Sequence, residues 1–270
     1  MLLLPHVLML SLLSGGLARV VEDFKSECGQ FFANGISPTK FPGPQYKQIC
    51  QMRNYVDYYA TFYDTFNKIP VYSAYKFEGI GHCRRQIDDN YAGPNMASEG
   101  SVNIQIHGDR QALNRDYYHS GYDKGHLAPV YQSFSQSCAS ATFTLTNAAP
   151  QVIRFNRGKW RNIENHLAKH LERACYFKPV YIVYCIKNRV NVPSHFWTAY
   201  CCLDQNNRCS HSGGVTGTNE NYSNITKMNV ANLETVLGQL YGLTFTLIYV
   251  IQPQIRNLIT YLLPLPDKKR

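Results

Sequence analysis

The chain has 270 residues, 44% hydrophobic and 17% charged, a balance that excludes an intrinsically disordered polypeptide and allows a sizeable core. Lys and Arg number 27 against 18 acidic residues, a formal charge of +9, which favours polyanionic partners such as nucleic acid or anionic membranes.

Residues 1–18 carry no Lys, Arg, Asp or Glu and are rich in Leu, and Gly16-Leu17-Ala18 puts small residues where a signal peptidase reads. The expectation is a secretory signal over 1–18 and one α+β domain over 19–270, with a secreted, extracellular location. The apolar run is short for a membrane span and is broken by Pro5 and Gly15-Gly16. In an oxidising compartment the nine cysteines read as staples whose pairing the sequence does not give; their odd number leaves at least one thiol outside an intrachain pair. Cys138 and Cys175 are the candidates for that exception. Cysteine spacing argues against zinc, since no Cys-x-x-Cys stands with a His-x-x-x-His.

Phe24 to Gln51 holds Cys28 and Cys50 around a Pro/Gly-rich stretch, a surface loop tied down by a disulfide. The aromatic run from Tyr55 to Phe66 fits a strand or a packed loop, and Val71 to Phe77 reads as a strand. Gly79 to Gly100 is turn-like, with Arg84-Arg85 and Asp88-Asp89 as a charged cluster, and Ser101 to Asp116 is polar without clear periodicity. Gln132 to Ala141 reads as a small-residue loop and Phe143 to Thr146 as a short strand.

Asn156 to Ala174 is the clearest helix, with Trp160, Ile163, Leu167, Leu171 and Ala174 forming one apolar stripe. Val180 to Ile186 suits a strand buried on both faces, and His195 to Leu203 a second strand. Cys209 to Asn224, rich in Gly, Ser and Asn, reads as a loop carrying glycosylation sequons at Asn221 and Asn224. A second amphipathic helix over Asn229 to Tyr241 and a strand over Leu243 to Ile251 complete the chain, with no internal repeat.

Between Tyr122 and Glu164 lie the residue types that metal-assisted phosphodiester hydrolysis requires. His126, after the permissive Gly125, can act as general base near neutral pH. Asn156 offers a hard amide oxygen for magnesium, which takes one or two protein ligands and keeps its waters. Glu164 can hold one of those waters, and Lys124 with Arg84 or Arg85 can neutralise phosphate oxygens.

Asp123-Lys124-Gly125-His126, Thr146-Asn147-Ala148-Ala149-Pro150-Gln151 and Phe155-Asn156 with Trp160 and Glu164 resemble the motifs of the DNA/RNA non-specific endonucleases of the ββα-metal class. Asn114, Asp116-Tyr117, Ser120-Gly121 and Val192 to Phe196 extend the likeness, which covers roughly Val71 to Phe196. The resemblance implies a mixed central β-sheet flanked by helices, with a ββα-metal finger as the active site. It implies His126 as general base, Asn156 as the sole direct protein ligand of Mg2+, and Glu164 acting through a water of the ion's shell. It also implies Asn147 and Gln151 as residues shaping the site around a DNA or RNA substrate, and Arg84 or Arg85 as the transition-state cation. Lys124 replaces the family's arginine and loses its planar fork. That departure favours the alternative of a secreted nucleic-acid or protein-binding module that retains the fold without catalysis.

Overall fold

The computed structural model describes residues 18–81, 110–175, 180–182, 190, 192–206 and 208–247. Eight strands form one sheet in the order β1 (Ala18–Val21), β2 (Tyr46–Arg53), β3 (Val56–Asp64), β4 (Ile69–Lys76), β7 (Val180–Ile182), β8 (His195–Leu203), β9 (Cys209–Thr218), β10 (Ile225–Met228). A separate hairpin pairs β5 (Tyr122–His126) with β6 (Ala148–Val152). All strand pairs among the described residues are antiparallel, so the α+β class holds without a parallel pair in the described sheet.

Helices cover both faces of the sheet, as an apolar face on each side demands. On one side α1 (Phe24–Cys28) and α5 (Val230–Tyr241) bury Phe24, Leu233 and Leu237 with Phe62, Tyr72 and Trp197 of the strands. On the other, α4 (Arg161–Ala174) and α3 (Gln136–Ala141) bury Leu167, Ala168, Leu171 and Ala141 against Tyr59, Tyr75 and Cys202. Alternation along β8 follows this division: Trp197 and Ala199 serve the first layer, Cys202 the second, and Phe196 packs under the hairpin with Phe155, Trp160 and Leu127. A short helix, α2 (Asn114–Tyr117), precedes the hairpin, its entry held by the Asp116 carboxylate, which accepts from Leu113 N at 2.8 Å. No helix among the described residues is long and apolar enough to cross a membrane.

Several expectations are corrected. Cys209 to Thr218 is a strand, not a loop, in register with β8 from His195 to Leu203. Its glycines serve close approach: a Cβ on Gly214 would meet Leu233, and one on Gly217 would meet Ile225 and Phe155. Phe143 to Thr146 is not a strand: Thr144 makes a single bridge, Leu145–Asn147 forms a 3-10 turn and β6 starts at Ala148. Over 243–247, the described part of the strand expected to Ile251, the chain makes no sheet pairing; Thr39 N donates to Thr246 O at 3.0 Å, and Phe245 and Leu247 enter the core. The helix predicted from Asn156 opens with a π-helical turn, Phe155–Trp160, before α4 begins. Its buried stripe runs through Trp160, Leu167, Ala168 and Leu171 and leaves Ala174 exposed.

Disulfides join Cys28 to Cys50, Cys175 to Cys202 and Cys201 to Cys209. The first ties down the Pro/Gly-rich stretch, whose flanks are not loop but α1 and the start of β2, and Cys175 is a staple. The adjacent Cys201 and Cys202 point to opposite faces of β8 and so serve different partners. Arg84, Arg85, Cys83, Cys185 and the expected leader up to Leu17 lie outside the described residues.

Candidate active site

The hairpin and the helix after it form a ββα unit. β5 and β6 pair from Tyr122 with Val152 to His126 with Ala148. Strand alternation sets Lys124 and His126 on one face of β5, with Asp123 and Gly125 on the other beside Gln151. Gly125 is required at its position, because a Cβ there would collide with the Gln151 side chain. Gln151 is 1% exposed, and its amide has no hydrogen-bond partner among the described residues.

Asn156 sits in the π-helical turn, anchored by its neighbours Phe155 and Trp160, whose rings lie 5.3 Å apart in the core under the hairpin. Such widened turns recur at functional sites. The Asn156 Nδ2 donates to Asp123 Oδ2 at 2.8 Å. That bond fixes the carboxamide plane and turns Oδ1 to the side away from Asp123. Arg157 grips the same carboxylate in a fork, Nε donating to Oδ2 at 2.8 Å and Nη2 to Oδ1 at 2.7 Å. Hydrogen bonding and the charge of Asp123 hold the Arg157 pKa above its ordinary value. Asp123 therefore positions the proposed ligand.

His126 is half-buried, its ring edge-on to Phe143 at 4.8 Å. The backbone after it is locked by Asn147, which is fully buried. Asn147 Oδ1 accepts from Ser73 Oγ and Ala128 N, both at 2.9 Å, and its Nδ2 donates to Ala128 O at 3.1 Å and Thr142 O at 2.9 Å. With its hydrogen-bonding capacity spent inside the protein, Asn147 shapes the site as scaffold and has none left for a substrate.

Glu164 lies in the first turn of α4, where a carboxylate complements the helix dipole. Buried Gln132 fixes that turn: its Nε2 donates to Glu164 O at 3.1 Å and its Oε1 accepts from Tyr75 Oη at 2.6 Å. Burial, and then the charge of Glu164, raise the Tyr75 pKa well above the ordinary value, so this phenol stays protonated. Lys124 is half-buried, with its Nζ 5.9 Å from the centre of the Tyr117 ring, and desolvation lowers its pKa.

Asn219 was not legible as a site residue. Its Oδ1 accepts from Val152 N at 2.8 Å, and its Nδ2 donates to Pro150 O at 3.1 Å and Pro193 O at 2.8 Å. This clamps the outer end of β6 to the strand beneath. Direct contacts thus join Asp123, Asn156 and Arg157, while Lys124, His126 and Glu164 of the same ββα unit are each contacted by other neighbours.

A model of the DNA/RNA non-specific endonuclease family matches residues 38–246. The chain belongs to that family. It is 32% identical over 210 residues to the endonuclease domain-containing 1 protein of Homo sapiens, covering 71% of this chain and 42% of that protein. It is 35% identical over 111 residues to human mitochondrial endonuclease G, covering 34% of this chain and 37% of that protein. The chain thus spans less than half the length of these relatives. A chain in the crystal structure of the EndoG/EndoGI complex superposes with a TM-score of 0.53 at 22% identity, over 73% of this chain and 86% of that one. That likeness establishes the ββα-metal nuclease fold for this member of the endonuclease family.

Proposed function

We propose that this chain is a secreted, magnesium-dependent endonuclease that hydrolyses phosphodiester bonds of DNA and RNA with little sequence preference. The observation that carries the reading is the carboxamide of Asn156, whose Nδ2 is held by Asp123 so that Oδ1 takes no part in that bond. A single hard oxygen suits magnesium, which is rarely caged by protein and keeps most of its waters. No cluster of three His, Cys, Asp or Glu side chains that would favour another metal occurs among the described residues. When bound, the ion supplies charge neutralisation to the scissile phosphate.

The chain's own groups do the rest. His126 takes the proton of the attacking water, Asn156 Oδ1 would hold the cation, and Glu164 would act through a water of the ion. Gln151 presents its buried amide beside Asp123, and Lys124 brings positive charge to the face it shares with His126. Three disulfides among the described residues support an oxidising, extracellular setting.

Supercoiled plasmid and a structured RNA are the substrates for the test. Wild type with Mg2+ is expected to nick both and to stop in EDTA, and His126→Ala to lose about a hundred- to ten-thousand-fold in rate. Intact plasmid with wild type across Mg2+, Mn2+ and Ca2+ would reject the reading. In that event, the half-buried Lys124 engaged with the Tyr117 ring favours the alternative of a binding module without catalysis, recognised by retained nucleic-acid affinity.

A further inference from the structure

Three side chains from three elements meet on the α4-covered face of the sheet, apart from every residue assigned above. His170 comes from α4, His211 from β9 and Tyr200 from β8. The Nε2 atoms of the two histidines are 3.3 Å apart, and the Tyr200 hydroxyl is 3.4 Å from Nε2 of His211.

The fold holds this meeting point in three ways. The register of β8 and β9 pairs Tyr200 with Gly213 and Cys202 with His211, so all four stand on one face. A Cβ on Gly213 would come within 2.8 Å of the Tyr200 ring, so the ring lies across β9 because glycine is there. Cys175, just after α4, is bonded to Cys202, which pins the end of the helix carrying His170 onto the same face.

At 3.3 Å the two nitrogens can share a long N–H···N hydrogen bond, and the same spacing suits a shared ion. An ion bound at about 2.0–2.1 Å to both nitrogens, 3.3 Å apart, would subtend an angle of roughly 107°, next to the tetrahedral value. Both histidines are exposed, so an ion and its waters have access. His166, one turn earlier, is occupied with Asn162 O, 2.7 Å from its Nδ1.

We propose that His170 and His211 chelate a divalent transition ion of the zinc class through their Nε2 atoms, with water completing the tetrahedron and Tyr200 hydrogen-bonding at its side. Imidazole nitrogens select such borderline ions over magnesium. The thiols take no part, Cys201, Cys202, Cys209 and Cys175 all being in disulfides. The ion would cross-link α4 to the β8–β9 hairpin.

Calorimetric titration of Zn2+ into the full chain tests this, with His170→Ala, His211→Ala, Tyr200→Phe and Asn156→Ala in parallel. Wild type is expected to take up one equivalent at this site, weakened at least about tenfold in either histidine variant and less in Tyr200→Phe. Asn156→Ala should leave it unchanged, and Mg2+ should not compete. Zinc uptake equal to wild type in both histidine variants, or no saturable uptake by wild type, overturns the site. Should a variant misfold, a zinc-soaked crystal of wild type decides: an anomalous peak between the two Nε2 atoms supports the site, and none there rejects it. The readout is metal uptake, so absence of nuclease activity would leave this result standing.

Discussion

Asp123 shows how one carboxylate organises a site without touching the chemistry. It takes one hydrogen bond from Asn156 and two from Arg157. The ion pair, with Arg157 69% exposed, contributes little to stability, so its worth lies in orientation. Asp123→Asn is expected to raise the magnesium concentration needed for half-maximal cleavage and to lower kcat by about ten- to a hundredfold, with an unfolding midpoint near wild type. Cleavage kinetics equal to wild type would remove Asp123 from this role. His195 makes a different prediction. Burial holds its pKa below the ordinary 6.5, against the opposing pull of Glu220. The unfolded chain therefore binds the proton first, and stability present above about pH 6.5 is lost as pH falls through the lower folded value. Tm measured from about pH 7.5 down to 5 should drop, and drop less steeply in His195→Gln; parallel slopes would contradict this. The ββα unit that carries His126, Asn156 and Glu164 was legible because the order and spacing of its motif lie along the sequence. The Asp123–Arg157 fork was not, since it joins a strand to a turn over 34 positions.

At the scale of elements, periodicity succeeded where one face is buried and failed where side chains are absent. The stripe of α4 and the apolar repeat of α5 follow from 3.6-residue spacing. β9 hid because Ser-Gly-Gly and Thr-Gly-Thr read as turn composition, whereas those glycines let neighbouring rings and aliphatic chains lie against the strand. Gly217 has the most direct link to the site, since a Cβ there would stand 3.1 Å from the Phe155 ring, next to Asn156. Gly217→Val should cost about 1–3 kcal/mol by overpacking and also reduce cleavage. Urea unfolding with a parallel plasmid assay checks both, and an unchanged midpoint would show that the turn has room. Asn219 escaped the sequence reading in another way: a carboxamide used as a clamp carries no periodicity.

For the molecule as a whole, the net charge of +9 becomes meaningful only with its placement. Arg154 and Arg161 are exposed on either side of the π-helical turn, while Arg157 is held by Asp123 and Lys159 donates to Ser223 O at 2.6 Å. Nucleic-acid affinity measured with catalysis blocked by EDTA should fall linearly with the logarithm of salt. Arg154→Ala and Arg161→Ala should each reduce that slope by about 1; a slope unchanged by both would place the phosphate track elsewhere. The widened turn also governs which length changes the chain tolerates. Arg161 N donates both to Asn156 O, a reach of five residues where an α-helix spans four, and to Gly158 O across the non-helical Gly158, so the segment holds one residue in surplus. Deleting that residue would let α4 wind smoothly back to Phe155, but everything upstream would rotate by about 100° about the axis. Asn156 would then swing out of phase with Asp123, a frame error written in angle, which leaves surface loops free to lengthen or shorten and this one stretch of chain fixed in count.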